Sequence, residues 1–245
     1  MQDHELAGLL AQEAGDLLLG IRGQAVAEGW PSYRLQDEGD RQAHRHLVDR
    51  LAELRPDDGL LSEEGTDDGA RLEANRVWIL DPLDGTRDFG RPKSIEWAVH
   101  VALVEGGRPT AAAVALPASG QLYGTGLSAA SRPLERERPV VVTSRSQWGE
   151  AEVVAAAIGG VVRSFGSAGV KAMAVVGGSA DVYVHPSGLY EWDACAPAAV
   201  ATAAGLDASG LDGTTLTFNK PHPVVPGLLI CRPEYTGRAR SALRW

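Results

Sequence analysis

Two aspartates, Asp81 and Asp84, stand three residues apart where an apolar run at residues 77–80 ends. Such a run is typical of a buried strand, which would carry Asp81 at its tip and present Asp84 from the turn that follows. Two acids this close repel each other unless a cation lies between them, and Mg²⁺ prefers oxygen ligands. Gly85 and Thr86 come next and can offer backbone N–H groups to an anion. The motif predicts a metal-assisted phosphate site.

Further acids fall at the ends of other predicted elements. Residues 60–65 read as a short strand that ends in Glu63 and Glu64, and Asp193 stands at the start of a helix predicted over 192–204. Successive strand side chains point to opposite faces, so the two glutamates can share a site only if the strand ends between them. A solvated strand end and a helix cap are the simpler interpretations. The alternative is that Glu63 and Asp193 join the first motif as oxygen ligands of Mg²⁺.

The elements that must position these acids are indicated by hydrophobic periodicity. Helices are predicted over 6–26 and over 41–54, the second with Asp40 as its N-cap, and three strands at 95–104, 110–116 and 121–125 form an antiparallel meander. Strands and helices then alternate, which favours an α/β layer. These later elements are predicted at 140–143, 148–158, 161–163, 170–176, 181–185, 192–204 and 228–230.

The polar, Arg-rich segment 127–139 is the predicted boundary between two halves of one compact unit. The first, 1–130, is an α+β half that carries most of the candidate metal ligands. The second, 131–245, is an α/β half that carries Asp193 and the residues expected to select the substrate.

Composition narrows the classes of function. A chain of 245 residues with 44% hydrophobic and 22% charged residues is typical of a globular protein with a full core. No secretory signal is visible, and no apolar stretch approaches the ~20 residues that a membrane span needs. Cys195 and Cys231 lack disulfide-framework or metal-ligand spacing, which favours a reducing cytoplasm. The net charge of −9 argues against a nucleic-acid polymer as partner but not against a small phosphorylated ligand, because bound Mg²⁺ reverses the local sign.

Three sequence blocks resemble the inositol monophosphatase superfamily in order and spacing. They read Leu-Ser-Glu-Glu-Gly from residue 61, Trp-Ile-Leu-Asp-Pro-Leu-Asp-Gly-Thr-Arg-Asp-Phe from residue 78, and Glu-Trp-Asp-Ala-Cys-Ala-Pro from residue 191. The resemblance implies an αβαβα sandwich of the inositol monophosphatase and fructose-1,6-bisphosphatase type. It also implies a lithium-sensitive, Mg²⁺-dependent phosphomonoesterase. Because relatives are often dimers, a homodimer is an open expectation.

The resemblance also implies a role for each matching residue. Two Mg²⁺ ions would be held, the first by Glu63, Asp81 and the Leu83 carbonyl, the second by Asp81, Asp84 and Asp193. Glu63 and Asp40 would share a third, weaker ion through water, although residues 36–40 depart from the family's Val-Thr-x-x-Asp pattern. Gly85 and Thr86 would receive the phosphate. A Thr86–Asp40 hydrogen bond, or Glu64, would take the proton of the attacking water.

Within the superfamily the chain is most similar to the bacterial 3′(2′),5′-bisphosphate nucleotidase branch. Residues 165–171 resemble that branch's Gly-Ser-x-x-Lys segment, so Ser167, Ala168 and Lys171 are the candidate substrate contacts, together with His185. The expected reaction is hydrolysis of adenosine 3′,5′-bisphosphate to AMP and phosphate, a housekeeping step of sulfate assimilation. Inositol 1-phosphate and fructose 1,6-bisphosphate are the alternative substrates, because the same metal core serves relatives that hydrolyse them.

Two other classes of function compete with this interpretation. The Asp-x-Asp-Gly-Thr motif of haloacid dehalogenase-type phosphatases resembles residues 81–86, but here the acids are three apart rather than two. That class would require a phosphoryl group on Asp81. The second alternative is a metal- and nucleotide-binding sensor without turnover. Release of phosphate from adenosine 3′,5′-bisphosphate distinguishes the sensor from an enzyme.

Overall fold

The computed structural model describes residues 1–127 and 136–243. The boundary predicted at residues 130–131 therefore lies outside the described residues. The helices of the described part are α1 (Asp3–Glu28), α2 (Ser32–Leu54), α3 (Thr86–Phe89), α4 (Trp148–Ile158), α5 (Ala168–Val176), α6 (Glu191–Ala203) and α7 (Pro233–Ala242). Its strands are β1 (Gly59–Ser62), β2 (Arg76–Asp84), β3 (Ala98–Glu105), β4 (Arg108–Leu116), β5 (Gln121–Gly124), β6 (Val140–Thr143), β7 (Val161–Ser164), β8 (Val182–His185), β9 (Leu189–Tyr190), β10 (Asp207–Ser209), β11 (Val224–Val225) and β12 (Leu228–Cys231).

Two five-stranded sheets and three helix layers alternate through the molecule. The first sheet has the strand order β1-β2-β3-β4-β5 and the second β10-β12-β8-β6-β7. Helices α1 and α2 cover the outer face of the first sheet, α5 and α6 lie between the sheets, and α4 and α7 cover the outer face of the second. The predicted αβαβα sandwich is confirmed. The described residues of each sheet come from one side of the undescribed segment, as the two predicted halves would require, but the boundary itself stays a prediction.

Strand β2 is buried on both faces. The alternation of its side chains between these faces decides the direction in which Asp81 points. Trp78 and Leu80 pack against α1 and α2, whereas Val77 and Ile79 face the layer of α5 and α6. Because side chains repeat every two residues in a strand, Asp81 continues the face of Val77 and Ile79. The register of β2 with the antiparallel β3 then shifts between Asp81 and Asp84. The second aspartate is thereby turned to the same end of the sheet.

The start of α2 corrects the prediction for residues 35–40. The helix begins at Ser32, directly after Pro31, so Asp40 lies inside it and is not its N-cap. Polar residues around Asp40 form side-chain pairs four residues apart along the helix. The Nε2 atom of Gln36 donates to Ser32 Oγ, and that of Gln42 donates to Glu38 Oε2. Such pairs stabilise a helix, so a polar sequence is compatible with it here.

Most remaining elements agree with the predicted ones within a few residues. Strand β1 ends at Ser62, so both glutamates of the second motif follow the strand rather than belong to it. Helices α3 and α7 and the short strands β9, β10 and β11 were not predicted. Two- and three-residue strands carry almost no periodicity. Among the described residues no helix is both long and apolar enough to cross a membrane.

Candidate active site

Three carboxylates from two halves of the chain converge at one end of the first sheet. Asp81 and Asp84 come from the end of β2, and Asp193 comes from the first turn of α6. One oxygen of each lies within 4.8 Å of the others. The start of α6 is fixed by Glu191, whose buried carboxylate accepts hydrogen bonds from the backbone N–H groups of residues 219 and 220. The predicted pairing of the first motif with Asp193 is therefore present in the fold.

Asp81 is completely buried, and only one of its two carboxylate oxygens accepts a hydrogen bond. Its Oδ1 accepts a hydrogen bond from the Leu83 backbone N–H at 3.1 Å, whereas its Oδ2 is buried without a hydrogen-bond partner. Burial, followed by the negative charges of Asp84 and Glu63, raises the pKa of Asp81 well above its ordinary value. A buried carboxylate oxygen without a partner destabilises the fold unless a cation reaches it.

Asp84 has the opposite environment. The Ser167 hydroxyl and the backbone N–H groups of Ala168 and Gly169 all donate to its carboxylate, the two amides at 3.1 and 2.6 Å. Burial opposes ionisation, but the hydrogen bond and charge of His100 and the charge of Lys171 outweigh it and lower the pKa of Asp84 to about 2. Asp84 is therefore a carboxylate at neutral pH, and the start of α5 is built around it.

Asp193 and Glu63 complete the acidic cluster. Burial and the charge of Asp84 raise the pKa of Asp193 to about 7. Glu63 is an exposed residue, yet its carboxyl group contacts Asp81, and partial burial of that group together with Glu64 raises its pKa. The pKa values of Asp81, Asp193 and Glu63 are all raised, because their negative charges are close together and partly buried. The cluster therefore favours an added positive charge, which the protein itself supplies only in part.

A second group of residues lies beside this cluster. The Thr86 hydroxyl is 3.3 Å from Asp40 Oδ1 and 3.1 Å from the Leu83 carbonyl oxygen. Burial, followed by the charges of Glu64 and Glu63, raises the pKa of Asp40 to about 7. The structure thus places Asp40, Thr86 and the two glutamates on the same side of the motif, at the junction of α2, β1 and α3.

Gly85 makes the turn between β2 and α3 possible. Its φ is +91°, and a Cβ atom built on it would lie 2.7 Å from the Glu96 carbonyl oxygen. Only glycine adopts this conformation without strain, and any side chain would meet backbone. Thr86 can therefore follow Asp84 immediately and still start a helical turn.

Besides Gly85 and Thr86, four residues were expected to contact the substrate, and they lie in the later part of the chain. Ser167 and Ala168 begin α5 and bind Asp84. Lys171 is 1% exposed, and its Nζ donates to the carbonyl oxygens of Gly166 and Phe165 at 3.1 and 3.4 Å. Burial lowers the pKa of Lys171 to about 8, although Asp84 and Asp193 oppose the shift. These positions suit a countercharge beneath the carboxylates, so direct contact with a substrate stays a prediction.

His185 ends β8, next to the same lysine. Its Nδ1 lies 3.3 Å from the Tyr183 hydroxyl. Burial and the charge of Lys171 lower the pKa of His185 to about 4, so it is neutral at physiological pH. A neutral imidazole can recognise a substrate through a hydrogen bond but does not attract a phosphate by charge.

Two features of the site were not predicted. The first is His100, which is fully buried on β3 opposite Asp81 and 3.2 Å from Asp84. Burial opposes its protonation, but Asp84 and the Trp192 carbonyl raise the pKa of His100. A histidine in an otherwise apolar strand next to the motif was the signal that could have found it.

The second feature is a groove of about 660 Å³ beside Gly85 and Thr86. The turn after β6 and the segment before α5 form its other wall, and its cationic lining residues are Arg87, Arg91 and Arg145. Arg145 is held by ion pairs to Asp88 and Glu96. An arginine two residues after the strand predicted at 140–143 was the available signal.

The donor set fits a divalent cation. All three converging side chains are carboxylates, the Leu83 carbonyl lies in the same turn, and Asp81 Oδ2 has no hydrogen-bond partner. Oxygen-only donors suit Mg²⁺ rather than a soft metal. Asp81, Asp84 and Asp193 are thus a group that could hold a metal ion.

The fold and the site define a layered α/β protein with an acidic centre suited to a divalent cation. The chain belongs to the inositol monophosphatase family, whose family model matches residues 5–242. The resemblance predicted from the three sequence blocks is confirmed. The match covers nearly the whole chain, so the haloacid dehalogenase alternative is rejected.

Individual relatives show which members of the family this chain is similar to. A 3′-phosphoadenosine 5′-phosphate phosphatase of Mycobacterium tuberculosis is 45% identical over 239 residues, which cover 91% of this chain and 86% of that protein. The 3′(2′),5′-bisphosphate nucleotidase CysQ of Salmonella typhimurium is 30% identical over 236 residues, covering 85% and 91%. The crystal structure of inositol monophosphatase II from Staphylococcus aureus has a TM-score of 0.79 at 22% identity, covering 96% of this chain and 91% of that one. The first two bear out the predicted similarity to the nucleotidase branch, and the third shows the shared fold.

Proposed function

We propose that this chain is a Mg²⁺-dependent phosphomonoesterase that hydrolyses adenosine 3′,5′-bisphosphate to AMP and phosphate. The observation that carries the proposal is the convergence of Asp81, Asp84 and Asp193 within 4.8 Å around a buried oxygen without a partner. The substrate follows from the relatives, since one that is 45% identical is named for this bisphosphate. The reaction would serve as a housekeeping step of sulfate assimilation in the cytoplasm, where the buried free thiols of both cysteines would persist.

Two Mg²⁺ ions would share the acidic cluster. Glu63, Asp81 and the Leu83 carbonyl would hold one ion, and Asp81, Asp84 and Asp193 the other. Bound Mg²⁺ supplies Lewis-acid stabilisation of the charge that develops on the phosphoryl oxygens. A third, weaker ion would lie near Asp40 and Glu63, where the negative charge of Glu63 contributes to the raised pKa of Asp40.

The proton of the attacking water would pass to the Thr86–Asp40 pair. Asp40 Oδ1 lies 3.3 Å from the Thr86 hydroxyl and has a pKa of about 7, so it can hold a proton near neutral pH. Glu64 stands close enough to influence Asp40 and is the alternative acceptor. A group whose pKa matches the working pH is the most effective acid–base catalyst. Gly85 and Thr86 would orient the phosphate at the start of α3.

The arginine-lined groove supports a substrate with two phosphates. It opens beside Gly85 and Thr86, where the reacting phosphate would lie, and it carries Arg87, Arg91 and Arg145. Guanidinium groups bind phosphate with two hydrogen bonds in one plane. A volume of about 660 Å³ lies within the usual range for small-ligand sites. The second phosphate of a bisphosphate would therefore meet positive charge in this groove. Inositol 1-phosphate has only one phosphate and would gain nothing from these arginines.

One assay compares the proposed function with its alternatives. Phosphate release is measured with Mg²⁺ from adenosine 3′,5′-bisphosphate, inositol 1-phosphate and fructose 1,6-bisphosphate, and again after removal of Mg²⁺ with EDTA. We expect the highest kcat/KM for the adenosine bisphosphate, no release without Mg²⁺, and inhibition by Li⁺. A higher kcat/KM for inositol 1-phosphate or fructose 1,6-bisphosphate would identify that compound as the preferred substrate and contradict the proposal. Tight binding of the nucleotide without phosphate release would identify the sensor instead.

A further inference from the structure

His100 is the one histidine, among the described residues, that is fully buried. It lies on β3, on the face shared with Ala98 and Ala102 that points toward α5 and α6. Directly across the antiparallel pair lies Asp81. Its flanking positions on the strand are valines, so the imidazole is a polar group in an apolar strand.

The imidazole touches two of the segments that carry the carboxylates. Its Nδ1 lies 3.0 Å from the Trp192 carbonyl oxygen, which can only accept, so Nδ1 carries a hydrogen and donates it. Its Nε2 lies 3.2 Å from Asp84 Oδ2, and its Nδ1 is also 3.8 Å from Asp81 Oδ2. Trp192 immediately precedes Asp193. One side chain therefore spans from the end of β2 to the start of α6.

The neighbouring backbone leaves room for the ring and for little else. A Cβ atom on Gly169 would lie 2.2 Å from His100 Nε2. The backbone N–H of Gly169 donates to the same Asp84 oxygen that the imidazole approaches. The ring is thus enclosed by β3, the first turn of α5 and the first turn of α6, so it cannot rotate away from either contact.

We propose that His100 is a positioning residue that fixes the spacing between Asp84 and Asp193 required by a divalent cation. The inference rests on the proposed metal-dependent function and adds a residue to its machinery. Asp84 and Asp193 belong to different halves of the chain and repel each other, so without a link between their segments the carboxylates would move apart. Groups that orient metal ligands typically change metal affinity by about 10–100-fold when they are removed.

Three substitutions separate the two contacts. His100→Asn keeps a donor near the position of Nδ1 and loses the contact with Asp84. His100→Gln keeps a group near the position of Nε2 and loses the contact with Trp192. His100→Leu fills the space and loses both. The control is His46→Leu, which removes a histidine whose partner is Glu13 and which touches none of the three carboxylates.

The readout is Mg²⁺ binding to the metal-free full chain by isothermal titration calorimetry, without substrate. We expect His100→Leu to bind Mg²⁺ about 10–100-fold more weakly, Asn and Gln to be intermediate, and His46→Leu to be unchanged. Unchanged Mg²⁺ affinity in His100→Leu overturns the proposal. If the leucine variant does not fold, unchanged affinity in both the Asn and Gln variants overturns it. Failure of the unaltered chain to bind Mg²⁺ would instead reject the proposed function itself.

Discussion

The Thr86 hydroxyl lies 3.3 Å from Asp40 Oδ1, and this contact joins the middle of α2 to the first turn of α3. Asp40 and Thr86 are 46 residues apart in the chain. Asp40 lies inside a helix rather than at its start, so its side chain projects from a fixed surface toward the motif. A proton acceptor on a rigid element is held more accurately than one on a loop.

Thr86→Val tests the role of this pair in proton transfer. Valine has nearly the same volume but cannot relay a proton to Asp40, and general acid–base catalysis contributes about 10²–10⁴-fold to rate. We expect kcat to fall by at least about a hundredfold while Mg²⁺ affinity is unchanged. Steady-state kinetics and calorimetry measure the two quantities. The control is Thr110→Val, at an exposed position on β4. An unchanged kcat in Thr86→Val would contradict this role and would favour Glu64 as the acceptor of the water's proton.

Asp81→Asn should separate activity from stability. The amide oxygen can still accept from the Leu83 backbone N–H, while the negative charge is lost from a buried site. Loss of a metal ligand removes several kcal/mol of transition-state stabilisation, at least about a hundredfold in kcat. The metal-free variant should melt at the same temperature as the unaltered chain or higher, because like charges no longer repel. Thermal unfolding with and without Mg²⁺ checks this, and a clear loss of metal-free stability would contradict it.

The metal-free protein should lose stability as the pH rises. The pKa values of Asp40 and Asp193 are about 7 in the folded chain, against 3.8 ordinarily. The folded state therefore binds more protons than the unfolded state, and the stability gained at low pH is lost as the pH rises through 7. His185, whose pKa falls to about 4, has the opposite effect only below its ordinary value of 6.5.

The informative range is thus from about pH 6.5 to 7.5. At higher pH Lys171, whose pKa falls to about 8, has the opposite effect. Over this range the melting temperature without Mg²⁺ should fall, and the stabilisation by added Mg²⁺ should grow, because the ion binds the deprotonated acids. Differential scanning calorimetry at several pH values measures both trends. Asp193→Asn should flatten part of the pH dependence. A metal-free melting temperature that rises over this range would contradict the prediction.

Arg145→Met tests the groove as the site of a second phosphate. The substitution removes the guanidinium but keeps an unbranched side chain, and a charge-assisted hydrogen bond contributes about 1.5–3 kcal/mol. We expect KM for adenosine 3′,5′-bisphosphate to rise at least about tenfold, with little change for inositol 1-phosphate. Arg163→Met, at an exposed position outside the groove, is the matched control. Equal changes for both substrates would mean that Arg145 acts by holding Asp88 and Glu96 in place.

Lys171→Met distinguishes a substrate contact from a countercharge. Because the ammonium group is 1% exposed and bonded to two carbonyl oxygens, we expect it to act on Asp84 and Asp193 rather than on the substrate. The variant should lose about tenfold in kcat/KM on every substrate. Kinetics on the three phosphomonoesters provide the measurement. A loss confined to the adenosine bisphosphate would support the substrate contact predicted from the sequence.

Local sequence information was sufficient for most of the longer elements and for the first motif. The apolar run before Asp81 specifies a buried strand, and the 26 residues of α1 carry a helical period. The carboxylates were identifiable because acids that end buried strands have few structural reasons to be there. The order of the three blocks was enough to indicate the family and its layered fold.

What only the tertiary structure decided is which side chains face one another across elements. His100 became part of the site through the register of β3 against β2, which sets it opposite Asp81. The burial of Lys171 depends on how α5 packs between the sheets, and the groove depends on Arg145 meeting α3 from the other half. Periodicity reports the local backbone and which face is apolar. Sheet register and helix docking depend on contacts between distant residues, which no local pattern in one sequence contains.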